Sequence, residues 1–148
     1  MKKGVDFIGV GVGAVIINNE GRVFLSKRGK NARNEYGKWE FPGGSVEFGD
    51  TIEDTIVREM REEYGVEIEV IELLGVNNHI IPDENQHWVS PCFIAKIVQG
   101  EPRILESGKC DEIGWFELHE VSSMPLSLAS ISNLEHIKIK YNNILPKV

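Results

Sequence analysis

The clearest sign of a functional site in this chain is the spacing of three glutamates in one short stretch. They are Glu59, Glu62 and Glu63. Residues three or four positions apart share one face of a helix, so a helix here would bring their carboxylates together. Like charges held this close repel each other and destabilise an isolated helix. A divalent cation would offset the repulsion, and oxygen ligands of this kind suit Mg²⁺ or Mn²⁺ rather than zinc. The spacing therefore predicts a metal site.

The sequence predicts a helix over residues 51–64 that carries these glutamates. Asp50 and Thr51 are both suitable N-caps, acidic residues follow in the first turn, and Gly65 supplies the C-terminal stop. An apolar stripe lies beside the carboxylate face and comprises Ile56, Val57, Met60 and Tyr64. The helix should therefore present one face for packing and another for chemistry.

Strand-like segments dominate the rest of the chain. Strands are predicted at 8–17, 22–27, 39–41, 67–76, 87–98 and 111–118, with a tight turn at 18–21, a loop at 42–44, a hairpin loop at 77–86 and a closing helix over 127–143. The GVGVG run at 9–13 lacks the dinucleotide-binding spacing, so its glycines indicate close backbone packing or a bulge. This pattern predicts one α+β domain over 1–148, with a mixed sheet covered by helices in three layers.

The bulk composition excludes several classes of protein. A net charge of −7 argues against broad binding to nucleic acid, and no apolar run approaches the ~20 residues that span a membrane. The N-terminus does not resemble a signal peptide, and Cys92 and Cys110 are expected to be reduced and mostly buried. We therefore expect a cytoplasmic protein without a membrane or nucleic-acid partner.

Positive side chains are concentrated in one segment. They are Lys27, Arg28, Lys30, Arg33 and Lys38. The sequence allows two interpretations of this segment about equally. It is either a solvated loop that keeps the protein soluble or a loop that binds the phosphates of a substrate.

Residues 44–66 resemble the signature of the Nudix hydrolases. The positions that match in register are Gly44, Arg58, Glu59, Met60, Glu62, Glu63, Gly65 and Val66. Asp50 stands where the signature has glutamate, which keeps the charge on a shorter side chain. Asp50, Glu47 and Gly65 are expected to support the motif. The order of strands and helices is also similar to the family fold, an α/β/α sandwich with a mixed β-sheet between helices.

The resemblance implies cleavage of a diphosphate linked to another moiety, with Mg²⁺ as cofactor and Mn²⁺ as a substitute. By position, Glu59 and Glu63 would be metal ligands, and the carbonyl of Gly43 would add a backbone oxygen. Glu62 would be a further ligand, bind through water or orient the nucleophile. Arg58 would hold the glutamates in place through charge-assisted hydrogen bonds.

The general base is left open by the sequence. Glu62 is one candidate, and Glu106, Asp111 and Glu112 lie in the region that supplies the base in several relatives. The competing interpretation of the three helical glutamates is a solvated acidic face paired with Arg58 and Arg61. The surrounding motif makes a metal site the favoured interpretation.

Substrate preference rests on weaker similarities outside the motif. The chain is similar to the branch that hydrolyses nucleoside triphosphates to the monophosphate and pyrophosphate, which implies that Arg28 contacts phosphate or base and that His87 and Gly44 lie near the nucleotide. Aromatic side chains that could stack on a base are Phe7, Trp88 and Trp115, although a place in the core is the commoner fate of each. His79 could also touch substrate, although a structural role is commoner for a histidine near a strand end.

Three functions from different classes follow. The first is a Mg²⁺-dependent nucleoside triphosphate diphosphatase, and the second is a pyrophosphatase for ADP-ribose or another nucleoside diphosphate derivative. In relatives that cleave ADP-ribose, a proline near the position of Pro82 is a recognised feature, but a turn explains it equally well. The third is a non-catalytic nucleotide-sensing domain. Homodimers occur among relatives, and the apolar N-terminal strand offers a surface for one.

Overall fold

The computed structural model describes residues 1–32 and 34–140. These residues form two β-sheets and three α-helices. The strands are β1 Gly9–Ile16, β2 Val23–Arg28, β3 Trp39–Glu40, β4 Gly43–Ser45, β5 Glu67–Ile81, β6 Gln86–Gln99 and β7 Cys110–Phe116. The helices are α1 Ile52–Tyr64, α2 Leu118–Val121 and α3 Leu128–Lys140. Among the described helices, none combines the length and apolar character that crossing a membrane requires.

A four-stranded sheet in the order β4-β1-β6-β5 forms the centre of the fold. The β1 and β6 strands run parallel, whereas β4 and β5 pair antiparallel with their neighbours, so the sheet is mixed. The second sheet has the order β3-β2-β7 and is antiparallel. The predicted α+β sandwich with a mixed sheet is confirmed. The sequence did not indicate that β1 and β2, although joined by a turn, belong to different sheets.

The two faces of the central sheet are covered by different helices because side chains alternate along a strand. On one face, Val12 and Phe93 pack with Ile56 and Met60 of α1. On the other, Val15 of β1 joins residues of the second sheet and α3, among them Leu25, Cys92, Ile94, Leu134 and Ile137. These two buried clusters fix α1 and α3 on opposite sides of β1 and β6.

The predicted helix over 51–64 is confirmed, and its ends are set by local interactions. Thr51 is the N-cap, and its hydroxyl oxygen accepts a hydrogen bond of 3.0 Å from the backbone N–H of Asp54. Gly65 follows the last turn with a φ of 71°, a left-handed conformation that glycine adopts without steric cost. The helix is therefore held in the register that its glutamates need.

The hairpin loop predicted at 77–86 is much shorter in the structure. The β5–β6 ladder continues to Ile81 opposite Gln86, and only a 3-10 turn at Pro82–Glu84 and Asn85 connects the strands. The polar residues from Asn77 to His79 resemble a turn in sequence, but Asn77 is buried and hydrogen-bonded to side chains of α3. Tertiary contacts thus outweigh the local turn preference.

Two further segments differ from the sequence interpretation. The predicted loop at 42–44 contains the short strand β4, because Gly43, Gly44 and Ser45 pair with Gly13, Val12 and Gly11. The short helix α2 was not predicted. The closing helix is confirmed over residues 128–140, and its predicted residues 141–143 lie outside the described part of the chain.

Both cysteines are free thiols in the interior, as expected. Cys92 packs between the central sheet and α3, and burial raises its pKa to about 12. An inert, protonated thiol follows from this environment, because the thiolate is the reactive form of cysteine.

Replacing Thr51 by alanine should destabilise the fold, because the N–H of Asp54 loses its side-chain acceptor. We expect a loss of about 1 kcal/mol in the free energy of unfolding. Urea denaturation measures it, and Thr51→Ser, which keeps the hydroxyl, is the matched control. Equal stability of the alanine and serine variants would contradict the capping role.

Candidate active site

The last two turns of α1 place Glu59 and Glu63 beside the glycines of β4. A Cβ atom on Gly44 would stand 2.5 Å from Cγ of Glu59 and 2.6 Å from its Cδ, closer than real Cβ contacts allow. Glu59 therefore lies directly over the Gly44 backbone, with 20% of its side chain exposed. The glycine at this position is explained by the glutamate that covers it.

The two carboxyl groups are too close together and too buried for both to be ionised easily. Burial, the charges of Glu59 and Glu106, and a hydrogen bond with Glu59 raise the pKa of Glu63 to about 8. Burial also raises the pKa of Glu59, although its hydrogen bond with Glu63 opposes the shift. Both shifts favour a proton shared between the two carboxyl groups in the metal-free protein, which relieves the repulsion between the charges.

The segment 101–109 carries a third carboxylate, Glu106, whose charge acts on this pair. The backbone N–H groups of Arg103 and Leu105 donate to the carbonyls of Tyr64 and Glu63, each at 3.0 Å, and dock the segment on the end of α1. This docking brings Glu106 close enough for its charge to act on Glu63. Nζ of Lys109 lies 2.9 Å from a carboxylate oxygen of Glu106 and supplies the neighbouring positive charge.

Arg58 ties the start of α1 to its acidic face. Its Nη1 donates to Oδ2 of Asp50 at 2.8 Å, and its other nitrogens lie 4.0 Å from Glu59 and 3.9 Å from Glu62. The shorter aspartate thus reaches the arginine in the place where the family signature has glutamate. Charge-assisted hydrogen bonds of this length are strong and directional, so Asp50 fixes the guanidinium beside the glutamates.

The donor atoms at this site fit a hard divalent cation. Glu59 and Glu63 offer carboxylate oxygens whose mutual repulsion is relieved by a proton, and a cation would relieve it more completely. Within residues 1–32 and 34–140, no three histidine, cysteine or acidic side chains already converge as a metal cluster. Mg²⁺ needs only one or two protein carboxylates and keeps several waters, so a pair of glutamates suffices for it.

A cavity of about 610 Å³ extends from Glu63 and Glu106 across the central sheet to the β5–β6 hairpin. Its floor on β1 is formed at Gly11 and Gly13, which place no side chain above the sheet. Its far end is lined by His79, Trp88 and other polar or aromatic residues, including Gln86, Ser90 and Asn133. The cavity therefore joins an acidic end to a second end suited to a flat polar group.

Arg28 lines the cavity but is already held by protein acceptors. Its Nη1 donates to Oε1 of Glu40 at 2.9 Å, and its Nε and Nη2 donate to the backbone and side-chain oxygens of Asn34. Burial is the largest influence on Glu40 and raises its pKa, while Arg28 opposes the shift. The predicted contact of Arg28 with substrate remains a prediction, and the structure adds a role in holding the segment around Asn34.

The other predicted site residues lie in varied positions. His87 pairs with Ile80, which puts it on the opposite face of the hairpin from the His79–Trp88 pair. Trp115 packs edge-on against Phe24 at a ring distance of 5.5 Å, in the core. Outside the cavity lining are Phe7, Glu47, Arg58, Glu59, Glu62, Asp111 and Glu112, whereas Gly43, Gly44, Glu63 and Glu106 line it.

Sequence reasoning missed the polar residues that α3 contributes. Asn77 of β5 is hydrogen-bonded to both Asn133 and His136 of α3, and Asn133 lines the cavity. Asn133 and His136 stand on an amphipathic helix whose buried stripe could have revealed Asn133, because it follows Ser130 and precedes Leu134 and Ile137 on the covered face. Their partner on β5 lies 56 residues from Asn133, and no local pattern indicates that pairing.

Comparison with known proteins places the chain in a family. Residues 8–135 match the model of the NUDIX domain. The chain is 34% identical over 109 residues to an ADP-ribose pyrophosphatase of Methanocaldococcus jannaschii, covering 74% of this chain and 62% of the relative. It is 30% identical over 125 residues to the CTP pyrophosphohydrolase of Escherichia coli, covering 82% and 86%. A crystal structure of a MutT NUDIX hydrolase from Burkholderia pseudomallei superposes with a TM-score of 0.82 at 36% identity, covering 89% of this chain and 99% of that one. The chain thus spans less than two thirds of the archaeal relative's length.

Replacing Gly44 by alanine should push Glu59 away from β4, because the new methyl group would occupy the space of its side chain. We expect Mg²⁺ affinity to fall by about tenfold or more. Calorimetric titration with Mg²⁺ measures it. Gly11→Ala is the control, since its methyl group would stand 3.4 Å from the nearest atom. The same affinity in the two variants would refute the proposed crowding.

The stability of the metal-free protein should fall as pH rises from about 5 to about 8. Glu63 has a pKa of about 8 in the folded state and an ordinary value of 4.5, so the folded state binds the proton more tightly. The stabilisation is complete below the unfolded pKa and disappears as pH rises through the folded one. Urea unfolding in chelator across this range measures the slope. The slope of stability against pH should become smaller in Glu63→Gln and stay the same in Glu53→Gln. An unchanged slope in Glu63→Gln would show that Glu63 does not cause the pH dependence.

Proposed function

The chain belongs to the Nudix family, and we propose that it is a Mg²⁺-dependent hydrolase that converts a nucleoside triphosphate to the monophosphate and pyrophosphate. One observation carries this proposal: Glu63 lines one end of a cavity large enough for a nucleotide and forms a partly buried, hydrogen-bonded pair with Glu59. Ligand pockets of small molecules commonly have volumes of about 300–1,000 Å³. We further propose that the protein acts in the cytoplasm.

Glu59 and Glu63 would hold the cation, and the carbonyl of Gly43 and the carboxylate of Glu62 are the proposed additional ligands. When bound, a divalent cation neutralises charge on phosphate oxygens and lowers the pKa of water. Arg58, fixed by Asp50, keeps the acidic face in register with β4. Mn²⁺ presents similar coordination chemistry and is the proposed substitute.

Glu106 is the proposed general base. Of the four candidates from the sequence, it is the one that lines the cavity, and Asp111 and Glu112 are exposed on β7. A base must lie within hydrogen-bond reach of the water that it deprotonates, or one water away. Lys109, bound to Glu106, would then face the same phosphates and offset part of their charge.

The leading proposal and its alternative differ in the substrate, which is a nucleoside triphosphate in the first and ADP-ribose or another nucleoside diphosphate derivative in the second. The name of the relative in Escherichia coli supports a nucleoside triphosphate, and that of the relative in Methanocaldococcus jannaschii supports ADP-ribose. Three polar groups at the far end of the cavity, from His79, Asn133 and Gln86, suit a nucleobase, which both candidate substrates carry. A nucleotide-sensing domain without catalysis is the further alternative, and intact glutamates disfavour it.

Replacing Glu63 by glutamine should reduce turnover more than 100-fold, beyond the roughly 10- to 100-fold typical of a residue that only supports a metal ligand. Glu53→Gln is the matched control, because it makes the same change on the exposed first turn of α1. Release of pyrophosphate from dNTPs with Mg²⁺ is the measurement, and an unfolding curve verifies that the variant is folded.

The same assay decides between the substrates. Pyrophosphate from dNTPs is expected, whereas AMP from ADP-ribose without pyrophosphate from dNTPs would replace the leading proposal by its alternative. If calorimetry with Mg²⁺ shows nucleotide binding and no product forms, the protein is a nucleotide-sensing domain without catalysis. Full activity in Glu63→Gln would overturn the assigned chemistry.

A further inference from the structure

A turn near the N-terminus, residues 2–7, packs against β6 and lies outside the cavity lining. The carbonyl of Gly4 accepts a hydrogen bond of 2.7 Å from the backbone N–H of His87. A Cβ atom on Gly4 would collide with Nε1 of Trp88, so the turn lies directly on the indole ring. The N–H of Gly4 donates to the carbonyl of Phe7 at 2.7 Å and closes the turn. The position of this turn is therefore fixed relative to the central sheet.

From this turn the ammonium group of Lys3 reaches the loop that follows β4. Its Nζ donates to Oγ of Ser45 and to the carbonyl oxygen of Val46, both at 3.0 Å, and lies 2.7 Å from Oε2 of Glu47. An ammonium group has three N–H donors, so all three are directed at three consecutive residues. A single exposed ion pair contributes little, but the Lys3 side chain is only 31% exposed and joins a backbone acceptor to two side-chain acceptors. Lys3 therefore restrains the loop as a whole.

Lys3 supports the strand that lies under Glu59. The three-residue strand β4 is at the edge of the central sheet and has β1 as its neighbour. Its second residue, Gly44, is covered by the Glu59 side chain. The next two residues, Ser45 and Val46, supply two of the acceptors of the Lys3 ammonium group. Because an edge strand is held by a neighbouring strand on one side only, Lys3 gives β4 a second attachment.

Lys3 also acts on the residue that fixes Arg58. Its third acceptor, Glu47, receives at its backbone carbonyl a hydrogen bond of 3.1 Å from the N–H of Asp50. Asp50 in turn accepts a hydrogen bond of 2.8 Å from Arg58, whose Nη2 lies 4.0 Å from a carboxylate oxygen of Glu59. The loop between β4 and α1 thus meets the acidic face of α1 at both of its ends, and Lys3 holds the middle of the loop.

We propose that Lys3 is a positioning residue for the pair of Glu59 and Glu63, and that its contacts with the loop between β4 and α1 keep these carboxylates in the arrangement that receives a divalent cation. This proposal rests on the proposed Mg²⁺-dependent hydrolysis. Lys3 lies outside the cavity lining, so it acts through the loop and touches neither the cation nor the nucleotide. Residues that orient metal ligands from behind raise metal affinity. Loss of Lys3 should therefore weaken the binding of Mg²⁺ rather than that of the nucleotide.

Lys3→Met removes the ammonium group and should raise the Mg²⁺ concentration that gives half-maximal turnover of a dNTP by about tenfold, the lower limit of what loss of such support costs. The kcat at saturating Mg²⁺ and the KM for the nucleotide should stay close to their native values, because Lys3 lies outside the cavity lining. Lys2→Met is the matched control, since it removes the same charge from an exposed side chain of the same turn.

Amide hydrogen exchange of the metal-free protein measures the state of the loop without any reaction. The N–H of Asp50, bonded within the loop, should exchange faster in Lys3→Met than in Lys2→Met. The N–H of Leu105, bonded to the carbonyl of Glu63 at 3.0 Å on the other side of the site, should keep its rate. A residue that only stabilises the fold would speed up exchange at both positions and leave the Mg²⁺ requirement unchanged.

Calorimetric titration with Mg²⁺ alone separates this proposal from the proposed reaction. Weaker Mg²⁺ binding by Lys3→Met than by Lys2→Met supports the positioning role even if no nucleotide is hydrolysed. Hydrolysis by the native protein with equal Mg²⁺ affinity in the two variants leaves the reaction in place and overturns the positioning role, as does a native protein that binds no Mg²⁺. If Lys3→Met does not fold, Lys3→Gln decides: a raised Mg²⁺ requirement supports the proposal, and an unchanged one overturns it.

Discussion

The confinement of two carboxyl groups, Glu59 and Glu63, in one partly buried place is the constraint on which the site depends. Burial, mutual charge and the nearby Glu106 all favour the protonated form, as the raised pKa of Glu63 shows. Glu63 also stands in the last turn of α1, where the helix dipole disfavours an anion. The fold tolerates this arrangement because Ile56 and Met60 on the other face of α1 are fully buried. Apolar packing thus holds in place a charge arrangement that would be unfavourable by itself, as is common at functional sites.

Backbone, rather than side chains, makes room for the site. Gly44 leaves the space that Glu59 occupies, and Gly11 and Gly13 leave the floor of the cavity open at the strand paired with it. A Cβ atom on Gly44 would collide with Glu59 on the α1 face of the sheet, and side chains at positions 11 and 13 would extend into the cavity on the other face. The alternating glycines of β1 are therefore explained by one face of the sheet: Val12, between them, points to the α1 core, and the glycines face the cavity.

The sequence predicted those parts of the molecule that local rules determine. The capping residue Thr51, the apolar stripe and Gly65 act within one helix, so the bounds of α1 and the shared face of its glutamates followed from spacing alone. Strand partners depend on contacts far apart in sequence, and the division into two sheets was missed for that reason. Asn77 illustrates the same difficulty, since its turn-like surroundings are overridden by bonds to Asn133 and His136. The hydrogen bond between Arg28 and Glu40 could not be predicted either, because the basic segment around Arg28 does not indicate a partner twelve residues away.

The two ends of the cavity are built by separate elements, and this has a consequence for how substrate range can change. The acidic end belongs to α1, β4 and the segment 101–109, which are joined by backbone bonds and by Glu59 lying over Gly44. The other end belongs to β5, β6 and α3, which pack through an apolar cluster and are also joined by hydrogen bonds of Asn77 to Asn133 and His136. A substitution at Asn133 or His79 can therefore alter the shape and polarity of one end without disturbing the carboxyl pair at the other.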